Sequence, residues 1–259
     1  MHILLIHQAF AGLGEAGGTR HYEMACLLAS QGHQVTIIAS SVSYITGISS
    51  HVGNKTKKQT PVPGVTIIRA YTYSALHRSF FHRVLSFFSF MVSSFFAGIS
   101  VRKVDLIWGT SPPIFQGFTA RLLAFLKRVP FLFEVRDLWP AFAIAVGVLR
   151  SRLLIKLSLW LERFLYKQAD KVVINSPGFM EHVRSRGAKE VILVPNGVDP
   201  DMFTPDHSQI NPWLVKKDGH YVVLYAGAHG LSNDLPNLLQ AAKLVEKERT
   251  VLALCITIP

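Results

Sequence analysis

The chain has 259 residues, 49% hydrophobic and 17% charged. That is enough for one large domain or two small ones around a sizeable core, and it excludes a chain disordered by composition. The formal net charge of +11 points to an anionic partner, whether nucleic acid, a phosphorylated ligand or a membrane surface. The two cysteines, Cys26 and Cys255, form no disulfide framework or metal motif, and a reducing cytoplasm is their natural compartment.

Short apolar runs alternate with longer helical patterns, which predicts βαβ units and a parallel sheet covered on both faces. Residues 2–6 read as a strand, too short and without the charged leader of a signal peptide. A loop ending in Gly17-Gly18 follows. Residues 19–30 read as a helix with Met24, Leu27 and Leu28 on one face, closed by Gly32, and 34–39 as a second strand. Residues 41–63 are polar, basic and broken by Gly and Pro, so they read as a long loop. A strand at 65–69 and a helix at 78–100 come next.

No acidic residue lies between Glu23 and Asp105, whereas Lys55, Lys57, Lys58, Arg69, Arg78, Arg83, Arg102 and Lys103 fall there. Such a stretch fits an acidic membrane surface and equally a merely solvated basic face. Residues 84–101 carry no charge and hold five phenylalanines. Their length is at the lower limit for a membrane span. Five serines punctuate them and the fold needs a crossover helix there, so a buried or membrane-grazing helix is expected rather than a spanning one.

Residues 104–108 read as a strand running into a Gly109–Pro113 turn, 114–127 as a helix and 131–135 as a strand. Residues 137–140 are a loop and 150–167 a long amphipathic helix. A strand at 171–175 leads through Ser176-Pro177, a good helix start, into a helix at 178–186, and 191–194 is a strand. Residues 196–219, with three prolines and four aspartates, read as a linker between a first domain at 1–195 and the start of a second at 220–259. The latter holds a strand at 222–226, a helix at 236–248 and a strand at 251–258.

Ligands of open parallel sheets bind beyond the carboxyl ends of the strands, which selects four loops. In the first, Gly17 and Gly18 precede a helix N-terminus, where glycine backbone and helix dipole favour an anion. Their spacing is not that of a dinucleotide fingerprint. Arg20 is placed either to pair with a phosphate or to stand as an exposed helix charge. In the second, Glu134, Arg136, Asp137 and Trp139 gather at a strand end. A carboxylate there can accept a proton from a sugar hydroxyl, the arginine can bind a phosphate, and the indole can wall a sugar or base. The alternative is a structural salt bridge of Arg136 with a neighbouring acid. The third loop carries Ser111 and the Pro112-Pro113 pair. The fourth carries Gly227, His229 and Gly230, the histidine placed for a donor group or for solvent. No metal-ligand spacing, G-x-S-x-G or P-loop is present, and no recognised nucleic-acid motif accompanies the charge.

These residues resemble bacterial glycosyltransferases of family 4. The resemblance is carried by the Gly17-Gly18 loop, F-E-V-R-D-L-W-P at 133–140, N-S-P-G-F at 175–179, V-P-N-G-V-D at 194–199 and Y-A-G-A-H-G at 225–230. The R-D-L-W-P form is similar to the branch concerned with surface polysaccharide and O-antigen. The resemblance implies a GT-B fold: an α/β chain with a complete Rossmann-like doubly wound N-terminal sheet and the first β-α-β unit of a second Rossmann-like domain.

It further implies retaining transfer, without an obligatory metal or cofactor, of a sugar from a nucleotide-sugar donor, in some members an N-acetylated amino sugar. The acceptor would be a polyprenyl-linked saccharide on an anionic membrane, with the protein peripheral to its cytoplasmic face. Asp137 would lie near the transfer centre. Gly17, Gly18, Arg20, Gly227, His229 and Gly230 would lie on the donor side, and Ser111, Glu134, Arg136 and Trp139 in the acceptor cleft. The family's second Gly turn and acidic E-x7-E motif do not follow within these 259 residues, so the chain reads as a truncated transferase with weak or no activity alone. Two other classes fit the same features: a non-catalytic membrane-associated binding module, and a nucleotide-sugar epimerase of similar fold.

Overall fold

Near-continuous burial marks the central strands, as expected where a parallel sheet is covered on both sides. β1 (His2–His7), β2 (Gln34–Ser40) and β5 (Leu106–Ser111) are buried after their first residue. The computed structural model describes residues 1–15, 17–49, 57–75, 80–197, 221–227, 233–244 and 250–256. The chain divides into two compact units, Met1–Gly197 and Val198–Pro259.

In the first unit these strands join β3 (Lys57–Val62), β4 (Val65–Ala70), β6 (Phe131–Val135), β7 (Lys171–Ile174) and β8 (Val191–Leu193) in one sheet of order β3-β4-β2-β1-β5-β6-β7-β8. Every pairing is parallel except that of β3 with β4. The helices are α1 (Arg20–Ser30), α2 (Phe80–Ser100), α3 (Phe115–Lys127), α4 (Ala141–Ala145), α5 (Arg152–Gln168) and α6 (Met180–Ser185).

Alternate residues of each strand feed two cores. Leu4, Ile6, Ile38, Ile107 and Phe133 meet Phe90 of α2, Leu123 of α3 and Leu165 of α5. Ile3, Leu5, Ile37 and Trp108 meet Tyr22 and Ala25 of α1 on the other side. Each fully buried Leu, Ile or Phe contributes about 1.5–3 kcal/mol. Gly109 lies within β5 where an added Cβ would stand 2.7 Å from the Ala120 Cβ. Its missing side chain lets α3 approach the strand closely.

The structure departs from the sequence reading at identifiable places. Residues 57–62 form the edge strand β3 instead of loop. Pro61 sits where the register against β4 shifts, between Gln59 and Val62, the position a sheet edge tolerates. Polar lysine, glutamine and threonine hid the strand. α1 buries His21, Tyr22 and Ala25, whereas Leu27 is 60% exposed. Met24 and Leu28 pack against the core as expected, while Leu27 turns outward and His21 lies inward against the buried Glu134. β5 runs three residues beyond the expected end, into Gly109-Thr110-Ser111, because β1 and β6 offer partners on both sides. The expected single helix at 178–186 is a 3₁₀ turn, Pro177–Phe179, followed by α6. The five-residue α4 is too short for a periodic signal.

In the second unit β9 (Tyr221–Gly227) and β10 (Thr250–Ile256) pair in parallel, with α7 (Leu235–Leu244) between them in sequence. This is the predicted β-α-β unit. The expected linker from 198 onward lies outside the described residues.

Candidate functional site

From β1 the chain builds β2 and β4 on one side and then returns to place β5 on the other. The strand order therefore reverses between β1 and β5, and the crevice beyond their carboxyl ends is where such sheets bind ligands. Four segments converge there: the loop after β1, the Ser111–Pro113 turn after β5, Arg136–Pro140 after β6, and Asn175–Pro177 after β7.

The loop after β1 is tied down at its acid. Glu15 accepts from the Gly12 backbone N–H (2.8 Å) and from Arg69 Nη2 on β4. Its carboxyl is held below the usual range, the two hydrogen bonds outweighing the cost of burial. Arg69 is itself 5% exposed, donates to the Ser40 carbonyl and lies over the Phe10 ring, so it is no part of a solvated basic face. The two glycines differ. Gly17 has φ +144°, and an added Cβ would sit 2.8 Å from that of Ala11, so the fold itself requires glycine. Gly18 is exposed with open space around its Cα, leaving its backbone accessible beside the start of α1.

Glu134 is the electrostatic centre. It is fully buried and accepts from His21 Nε2 at 2.6 Å and from Arg20 Nε at 3.1 Å. The remaining Arg20 nitrogens donate to the Val194 and Pro195 carbonyls, both at 2.9 Å. Arg20 is thus neither a free phosphate ligand nor an exposed helix charge here. It ties α1 to β6 and to the chain leaving β8. Glu134 is held below its ordinary value because His21 and Arg20 together outweigh desolvation.

His21 is pushed down by burial, against the pull of Glu134, so it is the neutral ring that donates Nε2–H to an ionised Glu134. His7, at the end of β1, lies 4.3 Å ring to ring from His21. Burial first, and then the repulsion a proton would meet from a protonated His21 and from Arg136, push it well down. Neither His7 ring nitrogen has a hydrogen-bond partner.

Arg136 makes no salt bridge with a neighbouring acid. Its Nη2 donates to the Pro112 carbonyl (3.0 Å), and its Nε (3.3 Å) and backbone N–H (3.1 Å) to that of Ser111. It clamps the β5 and β6 exits together. Ser111 is buried and serves through its backbone. Asp137 is exposed at the rim of this clamp, and its charge reaches Arg136. Trp139 is half-buried against the sheet core, 6.2 Å from the Phe115 ring, so the core fixes its orientation.

Sequence reasoning assigned no role to His7, His21, Gln116 or Asn175. Gln116 is buried, accepts from the Gln8 backbone N–H at 2.5 Å and donates to Thr110 at 2.7 and 2.8 Å. It stitches β1 to β5 at the point of reversal. Asn175, at the end of β7, has a buried Oδ1 without a hydrogen-bond partner. A signal for His21 existed in its place one residue after Arg20, directly behind the Gly pair.

A cavity of about 410 Å³ opens at the same end of the sheet, lined by Gln8, Ser40, Tyr44, Thr72, Arg83 and Phe87 among others. Its hydroxyls, aromatic faces and one guanidinium suit a polar, ring-shaped ligand. Larger hollows of about 590 and 640 Å³ lie at the amino ends of the strands, against His2 and Gln34 and against Phe131 and Asp170, away from the crevice. Among the described residues no three His, Cys, Asp or Glu side chains gather as a metal-holding group. In the second unit Gly227 ends β9, and His229 and Gly230 lie outside the described residues.

The acid side of the stability profile follows from these buried groups. His7 and His21 take up a proton in the unfolded chain near pH 6.5 but resist it when folded. Their contribution is complete above that pH and is lost as the pH falls below it. Two such protons correspond to at most roughly 3 kcal/mol per pH unit while both rings stay neutral. Urea melts of the chain from pH 7.5 downward are expected to show this slope, and about half of it in His7→Leu. A flat profile between pH 6.5 and 5 would contradict the buried neutral pair.

A doubly wound parallel sheet with this crevice, followed by a second β-α-β unit, is the α/β arrangement of the GT-B glycosyltransferases. Residues 16–197 match the Glycosyl transferase 4-like domain, and the chain belongs to that family. It is 26% identical over 254 residues to the Escherichia coli (strain K12) protein WcaI, which carries the name of a colanic acid biosynthesis glycosyl transferase. The alignment covers 94% of this chain and 61% of WcaI, so the chain spans about three-fifths of that relative's length.

Among solved structures, sucrose-phosphate synthase of Thermosynechococcus elongatus superposes with a TM-score of 0.69 at 19% identity, over 98% of this chain and 61% of that one. The catalytic domain of Arabidopsis thaliana starch synthase IV, bound to ADP and acarbose, gives 0.66 at 14% over 98% and 68%. Anabaena HepE in complex with UDP and glucose gives 0.53 at 12% over 98% and 69%. These likenesses establish the fold.

Proposed function

We propose that this chain is the acceptor-side domain, with the beginning of the donor-side domain, of a glycosyltransferase of surface-polysaccharide assembly. The enzyme transfers a sugar from a nucleotide-sugar donor, with retention and without a required metal, to a polyprenyl-linked saccharide at the cytoplasmic face of the membrane. The observation that carries the reading is the family match over residues 16–197 of the first unit, coinciding with an open crevice at the strand reversal. Support for the donor class comes from proteins of the same fold whose structures were solved with ADP, UDP-glucose and UDP. An N-acetylated amino sugar is the first donor to test, on the sequence resemblance, and WcaI's name supports an acceptor from exopolysaccharide assembly.

In this reading Gly18 and the start of α1 face the reacting sugar or diphosphate, Asp137 stands at the transfer centre, and the hydroxyl-lined cavity receives the acceptor. The chemistry asks for a group that accepts the acceptor hydroxyl's proton or shields a developing positive charge. The exposed carboxylate of Asp137, next in the chain to the Arg136 clamp, meets that need. The test is transfer from a panel of nucleotide sugars to polyprenyl diphosphate-linked saccharides. It uses the protein carrying a complete donor domain, with and without a chelator, and reads product anomer by NMR. Chelator-insensitive transfer with retained configuration is expected. Epimerised nucleotide sugar formed without acceptor would replace the reading, and no turnover of any donor would remove it.

A further inference from the structure

The cavity of about 410 Å³ is lined by residues between Ser40 and Phe87, together with Gln8. The sequence has no acid from Glu23 to Asp105, so no carboxylate stands in that lining. Among the described residues it holds one charged side chain, Arg83, which is exposed and forms no ion pair. The cation behind the wall is already engaged: Arg69 donates to the Ser40 carbonyl and to Glu15.

The aromatic side of the cavity is held in place. Tyr73 stacks on His82 with ring centroids 5.8 Å apart, its hydroxyl meets His82 Nδ1 at 2.9 Å, and its backbone N–H donates to Ser89 at 2.8 Å. Phe87 stacks on Phe115 at 5.6 Å, and Phe115 in turn meets Trp139 at 6.2 Å. Tyr44 lies close enough to Arg136 for their charges to interact. These two links set the cavity beside the loop that carries Asp137.

We infer that this cavity is a subsite for an acidic sugar of the acceptor, of the hexuronic acid class, whose carboxylate pairs with Arg83 while its ring lies against Tyr73 and Phe87. The inference rests on the proposed placing of the acceptor in this cavity and adds the class of sugar. A guanidinium offers a carboxylate two parallel N–H donors. Small-molecule sites of this size join aromatic walls to a few polar groups that fix orientation. Charge separates the candidate ligands. One guanidinium balances one carboxylate. A nucleotide or a lipid diphosphate brings further negative charge, and the lining has no second cation to meet it. A neutral sugar would cover the guanidinium and leave it unpaired, which a charged donor resists.

The experiment titrates the 259-residue chain with p-nitrophenyl β-glucuronide, its methyl ester and p-nitrophenyl β-glucoside, followed by NMR. The glucuronide is expected to bind about tenfold tighter than the other two, the scale of one charge-assisted hydrogen-bonded pair. Arg83→Gln should erase that preference, Arg83→Lys should restore part of it, and Phe87→Ala should weaken all three glycosides. Circular dichroism checks that each variant is folded. Equal binding of the three glycosides, no binding of the glucuronide, or a preference that survives Arg83→Gln would overturn the inference. Geranyl diphosphate is the comparison arm. Its binding through Arg83, without any preference for the glucuronide, would assign the guanidinium to a lipid diphosphate and equally overturn it. Lack of sugar transfer by the protein with a complete donor domain would remove the proposed function and leave the glucuronide preference standing. Transfer to neutral acceptors without that preference would do the reverse.

Discussion

Replacing Glu134 with alanine is expected to destabilise the first unit by about 3–5 kcal/mol, the cost of breaking a buried charge network on one side only. The carboxylate is fully buried and receives both Arg20 and His21. Without it, the Arg20 guanidinium keeps two carbonyl partners but loses its counter-charge, and the His21 Nε2–H is left without an acceptor. Against a typical domain stability of about 5–15 kcal/mol, the variant should show a large drop in urea midpoint or fail to accumulate.

Glu134→Gln keeps the shape and an acceptor oxygen and should cost less, separating charge from packing. It also separates a structural role from an acceptor-binding one. A folded Glu134→Gln protein that transfers sugar normally assigns the residue to structure, and one that folds normally but loses transfer assigns it to the cleft. A loss below about 1 kcal/mol for Glu134→Ala would show that the network contributes no more than an ordinary hydrogen bond.

Asp137→Asn is expected to behave in the opposite way. Asp137 is exposed at the rim of the crevice, so stability should move by no more than about 0.5 kcal/mol. In the proposed reaction, removing its charge should lower kcat by about 10²–10⁴, the usual range for a positioned proton-transfer group. KM for the donor should change little, because the carboxylate acts on the reacting centre rather than on the nucleotide. Arg136→Ala offers a companion test. It unclamps the Ser111 and Pro112 carbonyls and should reduce transfer by misplacing Asp137. Wild-type turnover in Asp137→Asn would remove the residue from the centre of the reaction.

Much of the fold was legible because its signals are local. Apolar runs bounded by Gly and Pro marked β1, β2, β4, β6 and β7, and Ser-Pro and Gly marked helix ends. β3 was not legible, since an edge strand needs one partner and no apolar alternation, and Lys57–Val62 gains its identity from pairing with β4. The face of α1 was legible in part, since Met24 and Leu28 pack on the core and Leu27 does not. Leu27 looks like a core residue by hydropathy, but His21 takes an inward place beside Glu134, more than a hundred residues away. Hydropathy carries no information about such long-range charge pairing.

The loops of the candidate site were chosen from strand ends and glycines, and those of the first unit lie at the carboxyl end of the sheet. The roles within them were not separable by residue type. Arg20 and Arg136 both looked like phosphate ligands, and the structure spends one on Glu134 and the other on two carbonyls. Gly17 and Gly18 looked equivalent, and only backbone geometry shows that one serves the turn while the other is open.

By itself the sequence determined the class of this protein: alternating strands and helices, loops placed at strand ends, an excess of positive charge and an apolar crossover helix. Those properties follow from local periodicity and composition, which each segment carries within itself. The tertiary structure alone decided which polar groups face one another. Burial of Glu134 selects His21 and Arg20, the strand reversal beside β1 gathers residues from four distant loops, and helix packing turns Phe81 and Phe96 of α2 and Trp160 of α5 outward while Phe90 and Tyr166 go to the core. Such pairings depend on distances set by the whole sheet, and no segment encodes them alone.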